Sequence, residues 1–162
     1  MMNLEKLEII NPIEAKYKIP KTTGIYFWYR KEDDNLIYIG TGSGKNGLYN
    51  RIVRQHLNPK YIEFRREKHS SKDFFQLKHP IKKIVKGELK DGIDQSAFRK
   101  NIGRKLQVKP GDGTVNYIFE NFYLKYYEVS DIEQLKILEK ELIRRYSPKF
   151  NISHKYKISN RL

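Results

Sequence analysis

Two short aromatic runs constrain the fold of this chain more than any other feature. Gly24-Ile25-Tyr26-Phe27-Trp28-Tyr29 and Leu36-Ile37-Tyr38-Ile39 are built from β-branched and aromatic residues, and the stretch between them, RKEDDN at 30–35, is polar. The pattern predicts a β-hairpin with Ile25, Phe27 and Tyr29 on one face and Tyr26 and Trp28 on the other. A later run, 122–129 (FYLKYYEV), predicts a third strand. Ser130 and Glu133 then form a capping box for a helix over 131–146, which Pro148 prevents from continuing far. Further helices are predicted over 48–57, about 71–89 and about 95–106, and KPGDG at 109–113 breaks the chain.

The 162 residues fit a single domain, taken as 1–162 with 58–115 as an insertion. Charge singles out that insertion. Lys and Arg number 33 against 19 Asp and Glu, a net +14; residues 57–110 hold 15 of the basic and 6 of the acidic side chains, so 15 − 6 = +9 comes from a third of the chain. Such a concentration points to a polyanionic partner rather than to evenly spread solubility. Lys45, Arg54, Lys82, Lys83, Arg99, Lys100, Arg104 and Lys105 are the candidate phosphate contacts, with Arg65, Arg66, Lys68 and Lys72 beside them. Ser96, Phe98 and Gly103 read as residues that hold the insertion together.

Other classes drop out. With no cysteine there is no disulfide, thiolate metal site or thiol nucleophile. Glu5, Glu8 and Glu14 interrupt the apolar stretches of the first twenty residues, unlike a signal peptide, and no run approaches the ~20 apolar residues of a bilayer span. A cytoplasmic protein without a membrane segment is expected. The loop Thr41–Gly47 is glycine-rich but lacks the GxxxxGK[ST] pattern of a phosphate cradle.

Two helices carry the residues that stand out chemically. On 48–57, Leu48, Ile52, His56, Tyr49 and Val53 fall on one arc, with Arg51 on its flank, where a core meets a cleft. On 131–146, Leu135, Leu142, Tyr146, Ile132, Ile143 and Leu138 make an apolar face that also contains Glu139. A carboxylate among aliphatics must be paired, protonated or bound to a cation. Mg²⁺ is held by one or two carboxylates, with water and phosphate as its other ligands.

Gly24-Ile25-Tyr26, then Tyr38-Ile39-Gly40, resemble the two signature strands of the GIY-YIG nuclease superfamily. Arg51 after the second strand, Glu139 within LEKELIRRYSPKFN and Asn151 three residues after Pro148 match in order. The resemblance implies an α+β fold: a small three-stranded antiparallel sheet flanked by helices, here with a mainly helical insertion. It implies an endonuclease using Mg²⁺ or Mn²⁺ to hydrolyse phosphodiester bonds, double-stranded DNA being the leading substrate and a restriction-like or mobile-element role the leading context. Tyr26 is then the general base, Tyr38 a positioning group, Arg51 the phosphate ligand, Glu139 the metal ligand and Asn151 a brace. His56 lies five residues after Arg51, where many members have His or Tyr at four, and either assists proton transfer or packs on Ile52. A binding module without cleavage, or a nuclease of RNA or structured DNA, is the alternative, and monomer and homodimer remain open.

Overall fold

The computed structural model describes residues 2–65 and 81–152. Its elements in chain order are α1 (Ala15–Lys18), β1 (Gly24–Arg30), β2 (Leu36–Gly42), α2 (Gly47–Tyr49, running on as a π-helical stretch over Asn50–His56) and β3 (Ile62–Arg65). There follow β4 (Ile81–Val85), β5 (Glu88–Asp94), α3 (Ala97–Leu106), α4 (Asp112–Asn121), β6 (Phe122–Glu128) and α5 (Ile132–Tyr146).

The aromatic runs form the hairpin. Arg30 N–H donates to Asn35 O at 2.9 Å, and the Asp33 carboxylate holds the turn by accepting from Arg30 Nε and the Asn35 amide. The strand order β2-β1-β6, antiparallel throughout, places β1 in the middle. Both edges of this sheet are occupied. Ile10 exchanges two backbone hydrogen bonds with Leu124 of β6, and Phe150 N–H donates to Ile37 O of β2. Covered edges offer no template to a foreign strand.

Alternation sorts the side chains. Tyr26 and Trp28 pack with Leu48, Ile52, Phe98, Ile118 and Phe150 on one face; Ile25, Phe27 and Ile39 pack with Leu135, Leu142 and Ile143 of α5 on the other. Phe98 of the insertion is the hub of the first core, its ring 4.5 Å from that of Tyr38 and 5.4 Å from that of Trp28.

The insertion differs from expectation. Its strands form a second antiparallel sheet of order β3-β5-β4, so among its described residues it is not mainly helical, and 81–89, expected as helix, is strand and turn. The remainder of that expected helix, 71–80, lies outside the described residues, as do Arg66, Lys68 and Lys72. The cause is local: Lys86 and Gly87 both take positive φ (52° and 78°), as a two-residue hairpin turn with strand-matched twist requires. α3 is close to expectation, but α4 was not anticipated, because the glycines at 111 and 113 read as a break. Gly111 does turn the chain, at φ 75°, and the helix begins directly after it. α5 starts one residue later than the expected capping box: Asp131, not Ser130, accepts from the amides of Glu133 and Gln134. Ile132 and Tyr146, expected on its buried face, are 47% and 43% exposed.

A fully buried ion pair binds these parts together. The Arg99 guanidinium donates to Asp94 Oδ1 at 2.5 Å, to the carbonyls of Gln55 and Asn58 and, through Nε, to Thr114 Oγ1. Asp94 also accepts from the Gly111 amide and the Thr114 hydroxyl. Strand β5, both following helices and the end of the π-helical stretch therefore meet at one charge pair. Removing one partner leaves the other charge uncompensated, so Arg99→Met is expected to cost ~3–5 kcal/mol in urea unfolding. A loss below about 1 kcal/mol would show that the pair is structurally dispensable.

Candidate active site

Strand register sets the two signature tyrosines beside each other. Tyr26 pairs with Gly40, and Tyr38 stands two residues away on the same face, giving a centroid separation of 6.3 Å between tilted rings. A Cβ at Gly40 would overlap the Oη and Cζ atoms of Tyr26, so the ring lies across the space that only glycine leaves open. Tyr26 is 1% exposed and its Oη lies 2.5 Å from His56 Nε2. The other imidazole nitrogen, Nδ1, is 2.6 Å from Ser96 Oγ. His56 thus does more than pack on Ile52.

The π-helical stretch explains the unusual spacing of Arg51 and His56. An α-helix would send residues five apart to different sides. Here the backbone bonds five back, Leu57 N–H donating to Ile52 O at 2.9 Å, and five residues complete about one turn. His56 is buried toward Tyr26, while Arg51 remains exposed with Nη1 on Gln55 Oε1.

Electrostatics ties the set together. Burial pushes the Tyr26 hydroxyl well above its usual 10; neighbouring Tyr38 and Glu139 add to this, and Arg51 opposes it. Tyr38 is pushed up to about 12, by burial first and then by the Glu139 carboxylate, with Arg51 again pulling down. His56 is held well below 6.5 by burial and by the positive charges of Arg51 and Arg99. Glu139, half-buried at the margin of the α5 apolar stripe, is therefore near enough to act on both phenols. Among the described residues no group of three metal-ligating side chains occurs. A lone carboxylate still suits a hard cation whose other ligands are water and phosphate. Asn151 is buried and braces β2, its amide oxygen accepting from Ile39 N–H at 2.9 Å and its nitrogen donating to Ile39 O at 2.8 Å.

The basic candidates divide. Arg99 is a correction: at 0% exposure, with its donors spent inside the protein, it faces no external phosphate. Its burial follows from the two open carbonyls and the carboxylate it satisfies, which a sequence count of charge does not reveal. Lys100 and Arg104, on the same helix, line a groove of about 490 Å³ with Tyr38, Asn101 and Asn151. Arg104 Nη1 donates to Asn101 Oδ1, and the exposed Lys105 reaches the Lys149 carbonyl. Lys45 is exposed, as is Arg54, whose guanidinium lies over the Tyr49 ring. Lys82 pairs with Asp91 at 3.0 Å, and Lys83 sits 5.5 Å from the Phe64 ring centroid. Sequence reasoning missed the contact of Ser96 with His56; its one signal was a serine placed to cap α3, which it also does.

Residues 9–162 match the family model of the GIY-YIG catalytic domain. The chain belongs to that family, whose domain supports nuclease activity in general. No curated protein matches the chain in sequence. No helix among the described residues is long and apolar enough to cross a membrane.

Two measurements probe this geometry. Gly40→Ala forces the Tyr26 ring from its place and is expected to destabilise by ~1–3 kcal/mol, with chemical-shift changes centred on Tyr26 and His56. An unshifted His56 would contradict the packing. His56, held neutral in the fold, is protonated only in the unfolded chain once pH falls below 6.5. Its contribution is present above that value and is lost on acidification, by up to ~1.4 kcal/mol per pH unit. The wild type should therefore lose stability more steeply than His56→Gln between pH 6.5 and 5 in urea titrations. Parallel curves would show that His56 is not held neutral.

Proposed function

We propose that this member of the GIY-YIG family is a divalent-metal-dependent endonuclease that hydrolyses double-stranded DNA, of a restriction-like or mobile-element type. Residues 1–162 act as one nuclease domain with 58–115 as its basic insertion. One observation carries the reading: Tyr26 and Tyr38 stand side by side with His56 on the Tyr26 hydroxyl, and the charges of Arg51 and Glu139 act on both phenols. A binding surface alone has no use for a carboxylate placed against two phenols.

Hydrolysis requires a deprotonated water, neutralisation of charge growing on the phosphate, and departure of the 3′ oxygen. Glu139 is the residue that would hold Mg²⁺ or Mn²⁺, which when bound supplies positive charge to the phosphate and leaving group. Tyr26, as phenolate, takes the proton of the attacking water; the P–O bond to that water forms as the bond to O3′ breaks, and O3′ takes a proton from solvent. Tyr38 stands beside Tyr26, its ring centroid 6.3 Å away, and positions the phosphate against it. Arg51 donates its exposed guanidinium edge to non-bridging oxygens. Its charge also draws down the cost of ionising both phenols. Asn151 holds β2, and with it Tyr38, in register. Lys45, Arg54, Lys100, Arg104 and Lys105 meet the DNA backbone on either side.

Supercoiled plasmid with Mg²⁺ or Mn²⁺ tests this. The wild type is expected to nick and linearise it; Glu139→Gln and Arg51→Ala should each lose at least about a hundredfold in rate. Binding should weaken steeply between about 50 and 200 mM salt. A gel shift without cleavage would instead make the chain a binding module, and cleavage confined to RNA or branched DNA would move the substrate class.

A further inference from the structure

A buried hydroxyl has one proton to give, and counting where it goes decides the state of His56. Ser96 is 1% exposed, so water does not satisfy it. Its Oγ already accepts from the Arg99 amide at 3.3 Å as the cap of α3. The acceptor that remains for its hydrogen is His56 Nδ1, 2.6 Å away. An imidazole that accepts at Nδ1 while neutral must carry its hydrogen at Nε2, and Nε2 lies 2.5 Å from Tyr26 Oη. We propose that Ser96 is a positioning residue of the reaction: it locks His56 as the Nε2–H tautomer, which donates to Tyr26 Oη and stabilises the phenolate that accepts the proton of water. The inference rests on the nuclease reading given above.

The surroundings favour this direction over its reverse. Were Nε2 the acceptor, proton flow from Tyr26 would create an imidazolium in a closed site facing Arg51 from its own helix and Arg99 from α3, with only the phenols of Tyr26 and Tyr38 from the sheet. Two like charges and burial oppose that cation. A neutral donor meets no such opposition. A continuous line therefore runs from Ser96 Oγ–H to His56 and on to Tyr26. The basic insertion thereby contributes to the chemistry through a residue that touches no substrate.

The test needs one spectrum and three variants of the full chain. In ¹⁵N-detected histidine NMR of the wild type, His56 should carry its proton on Nε2; a proton on Nδ1 overturns the proposal whatever the variants do. Plasmid cleavage with Mg²⁺ is then measured for Ser96→Ala, Ser96→Asp and Ser96→Thr. Aspartate keeps an α3 cap but only accepts, so it turns His56 to the Nδ1–H tautomer. Ser96→Ala and Ser96→Asp should lose at least about tenfold in kcat with KM nearly unchanged, while Ser96→Thr, which retains the hydroxyl, restores the rate. Full kcat in Ser96→Asp would reduce Ser96 to a helix cap and overturn the proposal. No cleavage by the wild type would instead overturn the nuclease reading on which it rests.

Discussion

A phenol that is almost wholly buried needs hydrogen bonds inside the protein, and the site is arranged around that requirement at Tyr26. The ring is admitted only because residue 40 is glycine, its hydroxyl meets an imidazole, and a second phenol ring stands 6.3 Å away. Each partner comes from a different element. β2 brings Tyr38, the π-helical stretch brings His56, and α3, through Ser96, holds that histidine from behind. Burial raises the cost of ionising Tyr26, and Arg51 offsets part of it. In the proposed reaction, a base so placed would become competent only when a bound cation offsets the remaining cost, which would tie chemistry to the assembled complex.

The insertion is bound into this arrangement rather than hung upon it. Arg99 and Asp94 neutralise each other in the interior and close off the carbonyls that end the π-helical stretch. Phe98, one residue before Arg99, stacks on Tyr38 from the same helix. The next two basic residues of α3, Lys100 and Arg104, turn outward to the groove beside that tyrosine. Within seven residues, Phe98 to Arg104, one helix supplies core, buried charge and half-buried charge at the groove.

Much of this was legible from residues alone, and the failures have physical causes. The hairpin and the late strand followed from their β-favouring aromatic runs, with both faces of β1 buried, and α3 and α5 followed from helical patterning. Glu139 stood out as the one carboxylate within the apolar arc of its helix, and it is half-buried at the margin of that stripe. Three things were not. The second sheet was hidden because its strands are short, polar and mostly half-buried, with Ile84 and Leu89 on the surface, so no regular alternation marks them. The π-helical stretch was hidden because a wheel drawn at the α-helical angle separates Arg51 from His56, whereas bonding five residues back reunites them. Arg99 was counted with the surface charge because nothing local announces that its partners, Asp94 and two carbonyls from 55 and 58, lie within reach.

In the proposed site, Glu139 and the two signature tyrosines share one pocket that would hold a cation. Paramagnetic Mn²⁺ probes that pocket. Titrated into the wild type at substoichiometric levels, it should broaden the ring resonances of Tyr26 and Tyr38, identified through Tyr26→Phe and Tyr38→Phe, and leave those of Tyr29 and Tyr123 on the opposite face sharp. Glu139→Gln should abolish the effect. Broadening that ignores Tyr26 and Tyr38, or that persists undiminished in Glu139→Gln, would contradict the account.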